Sequence, residues 1–286
     1  MRKSARNEAA AGRLVAILSM LLLALAIHAQ ETDPRFDPLG MTLENRIRPP
    51  AGYARDTVAI DSFAAYLRRL PLKPHGAVVK LFDGRVKPNP GVYVAVVDLP
   101  IGRRDLHQCA DAVIRLRAEY LFARGRYNDI HFRFTSGFLA EYGRWRSGER
   151  ITVSGNDARW EQAARPGDSY QNFWRYLETV FAFAGTASLA RELNIVSRED
   201  LDIGDVFIQP GHPGHAVIVV DAAVSRQSGR NVFLLAQSYM PAQEIQVLAN
   251  PNDVKLSPWY AADFGAMLRT PEWTFKAGDL KRFREE

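Results

Sequence analysis

Apolar and polar positions follow two periods along the chain, helical in the first part and strand-like after Asn194. Behind Asp61, a potential cap, Phe63, Tyr66, Leu67 and Leu70 recur at helical spacing and predict a short helix over 61–70. Residues 77–82 and 92–99 read as strands joined through the turn-rich 83–91, a predicted hairpin. Asp105 offers an N-cap for a helix that stops near Gly125. Its stripe carries Cys109, Val113, Leu116 and Tyr120, with Arg115, Arg117 and Glu119 largely off it. A second helix is expected over 170–193, broken at Gly185. Strands are then predicted at 205–209, 215–221, 232–237 and 244–248, followed by a helical turn around 259–268 and a final strand at 273–275. Helices first and antiparallel strands later is an α+β order.

The ends and the middle are less regular. Residues 30–55 contain Pro34, Pro38, Pro49 and Pro50 and read as an extended lead-in. Segment 126–168 mixes aromatics with Gly and Asn and shows only a short strand at 151–154, so it reads as an insertion in a single domain over 56–286. At helical and strand spacing its aromatics belong to a core more readily than to a carbohydrate-stacking surface. No period of 20 to 50 residues repeats, which argues against solenoids and propellers.

The N-terminus changes how charge is read. Arg2, Lys3, Arg6 and Arg13 precede an apolar run over 14–27, the pattern of a secretory leader covering residues 1–29. Cleavage is expected after Ala29, with Ala26 and retention as an anchor the alternatives. Residues 1–29 hold four of the 37 basic and one of the 32 acidic residues, which leaves 33 against 31 and a net charge of +2. Basicity therefore gives no argument for nucleic acid. The expected location is exported, periplasmic or extracellular, with no stable membrane span once the leader is cleaved.

An exported chain with one cysteine has no internal disulfide, so Cys109 is a buried small hydrophobe, an intermolecular partner or a nucleophile. Its place in the first turn of the predicted helix favours thiolate and offers N–H groups to an oxyanion. Further on, Gly204-Asp205-Val206-Phe207 leads through Gly211-His212-Pro213-Gly214 into a strand that opens with His215. Val217 and Val219 share the face of His215, which suits a partly desolvated base. If Asp221 opposes Asn231 in the next hairpin, His215 lies directly opposite Gln237, and that side chain becomes a candidate to orient the imidazole. A slip of one residue removes the arrangement.

A cysteine opening a helix, a Gly-Asp-Val-Phe strand and then Gly-His before a Val/Ile strand resemble the papain-like bacterial cell-wall hydrolases of the NlpC and CHAP type. The run from Gln108 to Gln246, including 237–243, is also similar to an exported bacterial family known only as a domain of unknown function. The first resemblance implies a papain-like core, with a Cys-bearing helix packed on an antiparallel sheet. It also implies a cofactor-free thiol hydrolase that cleaves amide bonds of peptidoglycan peptides or other envelope material. Carried over by position, Cys109 is the nucleophile, His215 the base and Gln237 the polar third residue. Two departures stand against it: 105 residues lie between Cys109 and His215, and Ala110-Asp111 replaces Ser-Gly after the cysteine.

Other chemistries find less. His212 and His215 are two ligands without a third at recognisable spacing, and Asp200, Asp202 and Asp205 read as turn and strand-entry residues. Gly-x-Ser-x-Gly, Gly-Lys-Ser/Thr and Gly-x-Gly-x-x-Gly signatures are missing. The alternative from a different class is a non-catalytic envelope or cell-wall binding protein on a hydrolase-like scaffold.

Overall fold

Short runs rich in Val, Ile, Leu and Phe pair into one antiparallel sheet that draws strands from both ends of the chain. The structure, a computed structural model, describes residues 33–284, so the expected leader lies outside the described residues. The described residues divide into a unit over 33–36 and a unit over 37–284. In the first, Arg35 pairs with Asp33 at 2.6 Å. The second carries the sheet, whose order is β2 (Tyr93–Val96), β11 (Gln246–Leu248), β10 (Asn231–Gln237), β9 (His215–Ser225), β8 (Val206–Gln209), β15 (Leu280–Phe283) and β7 (Leu193–Ile195). Strand β1 (Tyr53–Ala54) pairs with β9, and β12 (Tyr260–Ala261) with β10.

Helices α1 (Leu43–Arg46) and α2 (Phe63–Arg68) precede the long α3 (Cys109–Ala123). The middle segment forms hairpin β3 (His131–Arg133) and β4 (Leu139–Glu141), helix α4 (Tyr142–Arg146), and hairpin β5 (Glu149–Ser154) and β6 (Asp157–Gln162). The second predicted helix is two, α5 (Tyr170–Phe183) and α6 (Thr186–Glu192), separated at Gly185. A last hairpin joins β13 (Met267–Arg269) and β14 (Thr274–Lys276).

The faces of β9 are unlike. Val217 and Val219 join Phe207, Phe233, Leu235 and Phe275 in a buried cluster to which α3 contributes no residue. Alternation along the strand therefore turns Ala216 and Ile218 toward the other face, where α3 packs. Each buried Val, Leu or Phe side chain contributes about 1.5–3 kcal/mol, so the two faces together make β9 the spine of the fold.

Several expectations are corrected. Residues 77–82 make only isolated bridges, Lys80 with Val86 and Leu81 with Gln243, and β2 pairs with β11 instead of with them. The region 259–268 holds parts of β12 and β13 in place of a helical turn. Ser62, not Asp61, caps α2, its Oγ accepting from Ala65 N at 3.1 Å. Helix α3 begins four residues beyond Asp105, because Asp105 Oδ1 is already taken by Ala242 N at 2.6 Å and Gln108 Nε2 at 3.0 Å. Residues of the lead-in are part of the packed unit: Leu43 and Ile47 are fully buried. In the middle segment Phe132, Phe134, Tyr142 and Trp145 are buried. Trp160 is half-buried and faces the Arg144 guanidinium at 4.8 Å.

The β9–β10 register is also different. Asn231 opposes Val224 and Leu234 opposes Asp221; a bulge then leaves Val220 unmatched, so that Leu235 opposes Val219 and Ala236 opposes Ile218. Continued by one residue, Gln237 stands across from Val217, not His215. The bulge decides the chemistry: without it Gln237 would oppose Ile218 and turn to the α3 face, away from His215.

Candidate active site

Cys109 is the first residue of α3. The Gln108 N–H donates to Asp111 Oδ2 at 3.0 Å, which satisfies a helix-entry donor and anchors the turn that presents the thiol. The helix stops beyond Ala123, where Gly125 takes φ +67°. Arg115 and Glu119, expected off the buried stripe, are buried as well. Helix α5 lies over them: Trp174 covers the Arg115 guanidinium at 4.7 Å, Arg115 meets Glu119 at 3.3 Å, and Tyr170 OH donates to Glu119 at 2.6 Å.

A cleft of about 300 Å³ opens at the start of α3, lined by Gln108, Cys109, Asp111, Thr186, His212 and Gly214 among others. Gly214 cannot carry a side chain there, because a Cβ would stand 2.5 Å from Thr186 Oγ1 and 2.7 Å from Gly211 O. The Gly-His pair thus lets the start of α6 close against the turn before β9.

The sulfur meets the backbone on both sides of His215. The thiol donates to Gly214 O at 4.0 Å, and the Ala216 N–H points at Sγ. Burial pushes the thiol up to about 11. Amide donors from Ala216, Ala110 and Cys109 itself oppose that rise, and the Asp111 carboxyl adds to it. Asp111 is itself pushed up to about 8 by burial; its Oδ2 is hydrogen bonded and its buried Oδ1 has no partner.

The imidazole lies on the cluster face of β9. Its ring is 5.9 Å from that of Phe275, 5.3 Å from Trp273 and 5.0 Å from Tyr239. His215 Nε2 is 2.8 Å from Gln237 Oε1, a diagonal contact across the strands that engages the far nitrogen of the ring and not Nδ1. Burial holds the imidazole down at about 4, the Gln237 bond pulling up and the Lys87 charge pushing further down. The structure brings Gln237 to His215 and brings Sγ to the peptide groups that flank His215. The thiol hydrogen is directed at Gly214 O and not at the ring, and the resting groups are a neutral thiol and a neutral imidazole. Tyr239 adjoins the imidazole: its ring meets His215 edge-on, and its phenol is raised by burial, Glu272 and Cys109.

Sequence reasoning missed the side chains behind Gln237. Gln237 Nε2 donates to Glu272 Oε2 at 2.6 Å, and Lys87 Nζ donates to both Glu272 oxygens at 2.8 and 2.9 Å. Lys87 and Glu272 are 185 positions apart in turn-rich stretches with no periodicity, so no local signal marks either one. Among the other titratable residues, Asp205 is a buried partner of Arg282 at 2.6 Å beyond its role at a strand entry. His107 packs edge-on to Phe181 at 5.6 Å and lies 3.3 Å from Gln243 O. His212 is exposed at the cleft rim. Among the described residues no group of three or more His, Cys, Asp or Glu could hold a metal ion, and no helix is long and apolar enough to cross a membrane. A second cavity of about 180 Å³, edged by Arg117, Arg133, Arg191 and Glu192, is not lined by the thiol.

A family model described as Domain of unknown function (4846) matches residues 43–282. No curated protein and no solved structure matches the chain.

Proposed function

We propose, for a chain that belongs to the family Domain of unknown function (4846), a thiol hydrolase acting on amide bonds of envelope or cell-wall peptides at Cys109. Its core is of the papain-like type, with a cysteine-bearing helix against an antiparallel sheet. The observation that carries the reading is the sulfur itself: the single cysteine opens a helix, lines an open cleft and touches the peptide groups on either side of a histidine whose far nitrogen is held by an amide.

The chemistry follows from the charge states. Sγ is a thiol at rest, so attack on a carbonyl carbon requires its proton to pass to His215 Nδ1 as the C–S bond forms. The carbonyl oxygen then carries the negative charge beside the first N–H groups of α3. The imidazolium returns the proton to the leaving amine, and water releases the acyl group by the same steps in reverse.

Alkylation with iodoacetamide tests the reading. A nucleophile served by His215 labels in the native protein with a rate that rises through an ionisation below pH 7.5 and falls in His215→Ala. Digestion of purified sacculi should release peptides, and Cys109→Ser should abolish that release. Labelling that climbs only toward pH 11 and ignores His215→Ala would reject the hydrolase. It would favour a non-catalytic envelope-binding protein, the second reading, for which the burial of the thiol and its bond to Gly214 O speak.

A further inference from the structure

We infer that Glu272, clamped by Lys87, is a positioning residue: acting through Gln237, it keeps the His215 proton on Nε2 and leaves Nδ1 bare. The use of a bare Nδ1 as proton acceptor rests on the hydrolase reading; the tautomer itself does not.

An ionised carboxylate only accepts, whereas a glutamine amide has one accepting and one donating end. Lys87 is 5% exposed; its Nζ donates to both oxygens of Glu272 and also to Gln243 Oε1 at 3.1 Å. The donating end of Gln237 must therefore face Glu272, and it does, at 2.6 Å. That turns Oε1 toward His215 Nε2 at 2.8 Å. Because Oε1 can only accept, Nε2 carries the hydrogen, and a neutral imidazole has only one.

The charges around the ring agree with a neutral base. Lys87 and Glu272 offset one another, and Lys87 also sits over the Tyr239 ring at 5.1 Å. The titratable groups around the ring are these two, Glu272 reaching it through Gln237, together with Tyr239. Without a carboxylate at 272, the Gln237 amide is free to turn over, offer its NH₂ to Nε2 and drive the hydrogen onto Nδ1. That form has no lone pair for the thiol proton. The same turn, between β13 and β14, supplies Trp273, whose ring packs against the imidazole and whose Nε1 donates to Gln209 at 3.0 Å.

Imidazole ¹⁵N spectra of the full chain with labelled histidine, assigned with His215→Ala, decide the matter. The wild type should show His215 protonated at Nε2 only. Glu272→Gln should populate the Nδ1–H form and slow Cys109 alkylation. The slowing is about twofold when the two tautomers are equal, because only the competent fraction reacts. Combining Glu272→Gln with Gln237→Glu exchanges acceptor and donor at unchanged net charge, and it should restore the single Nε2–H form; a merely structural role for Glu272 does not predict that rescue.

An Nδ1–H signal in the wild type overturns the inference without any variant, as does a well-folded Glu272→Gln that keeps a pure Nε2–H ring. The Nε2–H tautomer together with an unreactive Cys109 would reject the hydrolase and uphold the positioning.

Discussion

Asp111 shows how one buried side chain sets a pH dependence. Its native pKa of about 8 lies above the ordinary carboxyl value of 3.8, so the folded state keeps a proton that the unfolded state releases. Stability from this group is fullest below pH 4 and is lost as the pH rises toward 8. Asn at this position keeps an oxygen for the Gln108 N–H and has nothing to ionise. Asp111→Asn should gain on the wild type by at least about 1.4 kcal/mol between pH 4 and pH 8, the value of one pKa unit. Urea unfolding at the two pH values measures it, and a gain independent of pH would show that the carboxyl is not the cause. Cys109, His215 and Gln237 were legible as residues because their types are rare or stand at punctuated strand ends. The protonation state of Asp111 was not legible, since it depends on which distant atoms exclude water.

At the scale of elements, β9 is held to the N-terminal part of the chain by a buried charge. Asp221 is fully buried and takes Arg55 at 2.6 Å and Arg68 at 2.7 Å. Arg68 also donates to Asp56 O at 2.6 Å and Ala222 O at 3.0 Å, so α2 and the lead-in are fastened to the middle of the sheet. Asp221→Ala leaves two guanidinium groups without their acceptor and should cost about 3–5 kcal/mol in denaturant unfolding. A cost below about 1 kcal/mol would mean that water reaches the pair. The strands β8, β9 and β10 were readable from their apolar runs and the turns between them. Their register was not, because a bulge is a local compromise between two twisted strands and has no residue signature at Val220. Helix α3 misled in the same way: Arg115 and Glu119 fall largely off its apolar stripe, and packing by α5 nevertheless covers them.

For the molecule as a whole, two buried imidazoles oppose folding in acid. Burial holds His107 down at about 3 and His215 at about 4, below the usual 6.5. The unfolded chain takes protons that the native chain refuses, so this contribution to stability falls as the pH drops below 6.5 toward those values. The variant His107→Asn retains a donor for Gln243 O and loses the titration. Between pH 7.5 and 4.5 it should gain about 2 kcal/mol relative to wild type, as read by thermal or urea unfolding. No change across that range would show His107 to be solvated in the native state.

What the sequence by itself determined is the local layer: a thiol at a helix start, a histidine at the head of an apolar strand, a helix broken at Gly185 and an antiparallel α+β order. These follow from capping, periodicity and turn chemistry, which act over a few residues. Tertiary structure alone decided which strands are neighbours, that Gln237 reaches His215 by a diagonal and not head-on, and that Lys87 and Glu272 stand behind it. Those outcomes come from burial and from hydrogen-bond completion between segments up to 185 positions apart, and nothing in the neighbourhood of either residue encodes its partner.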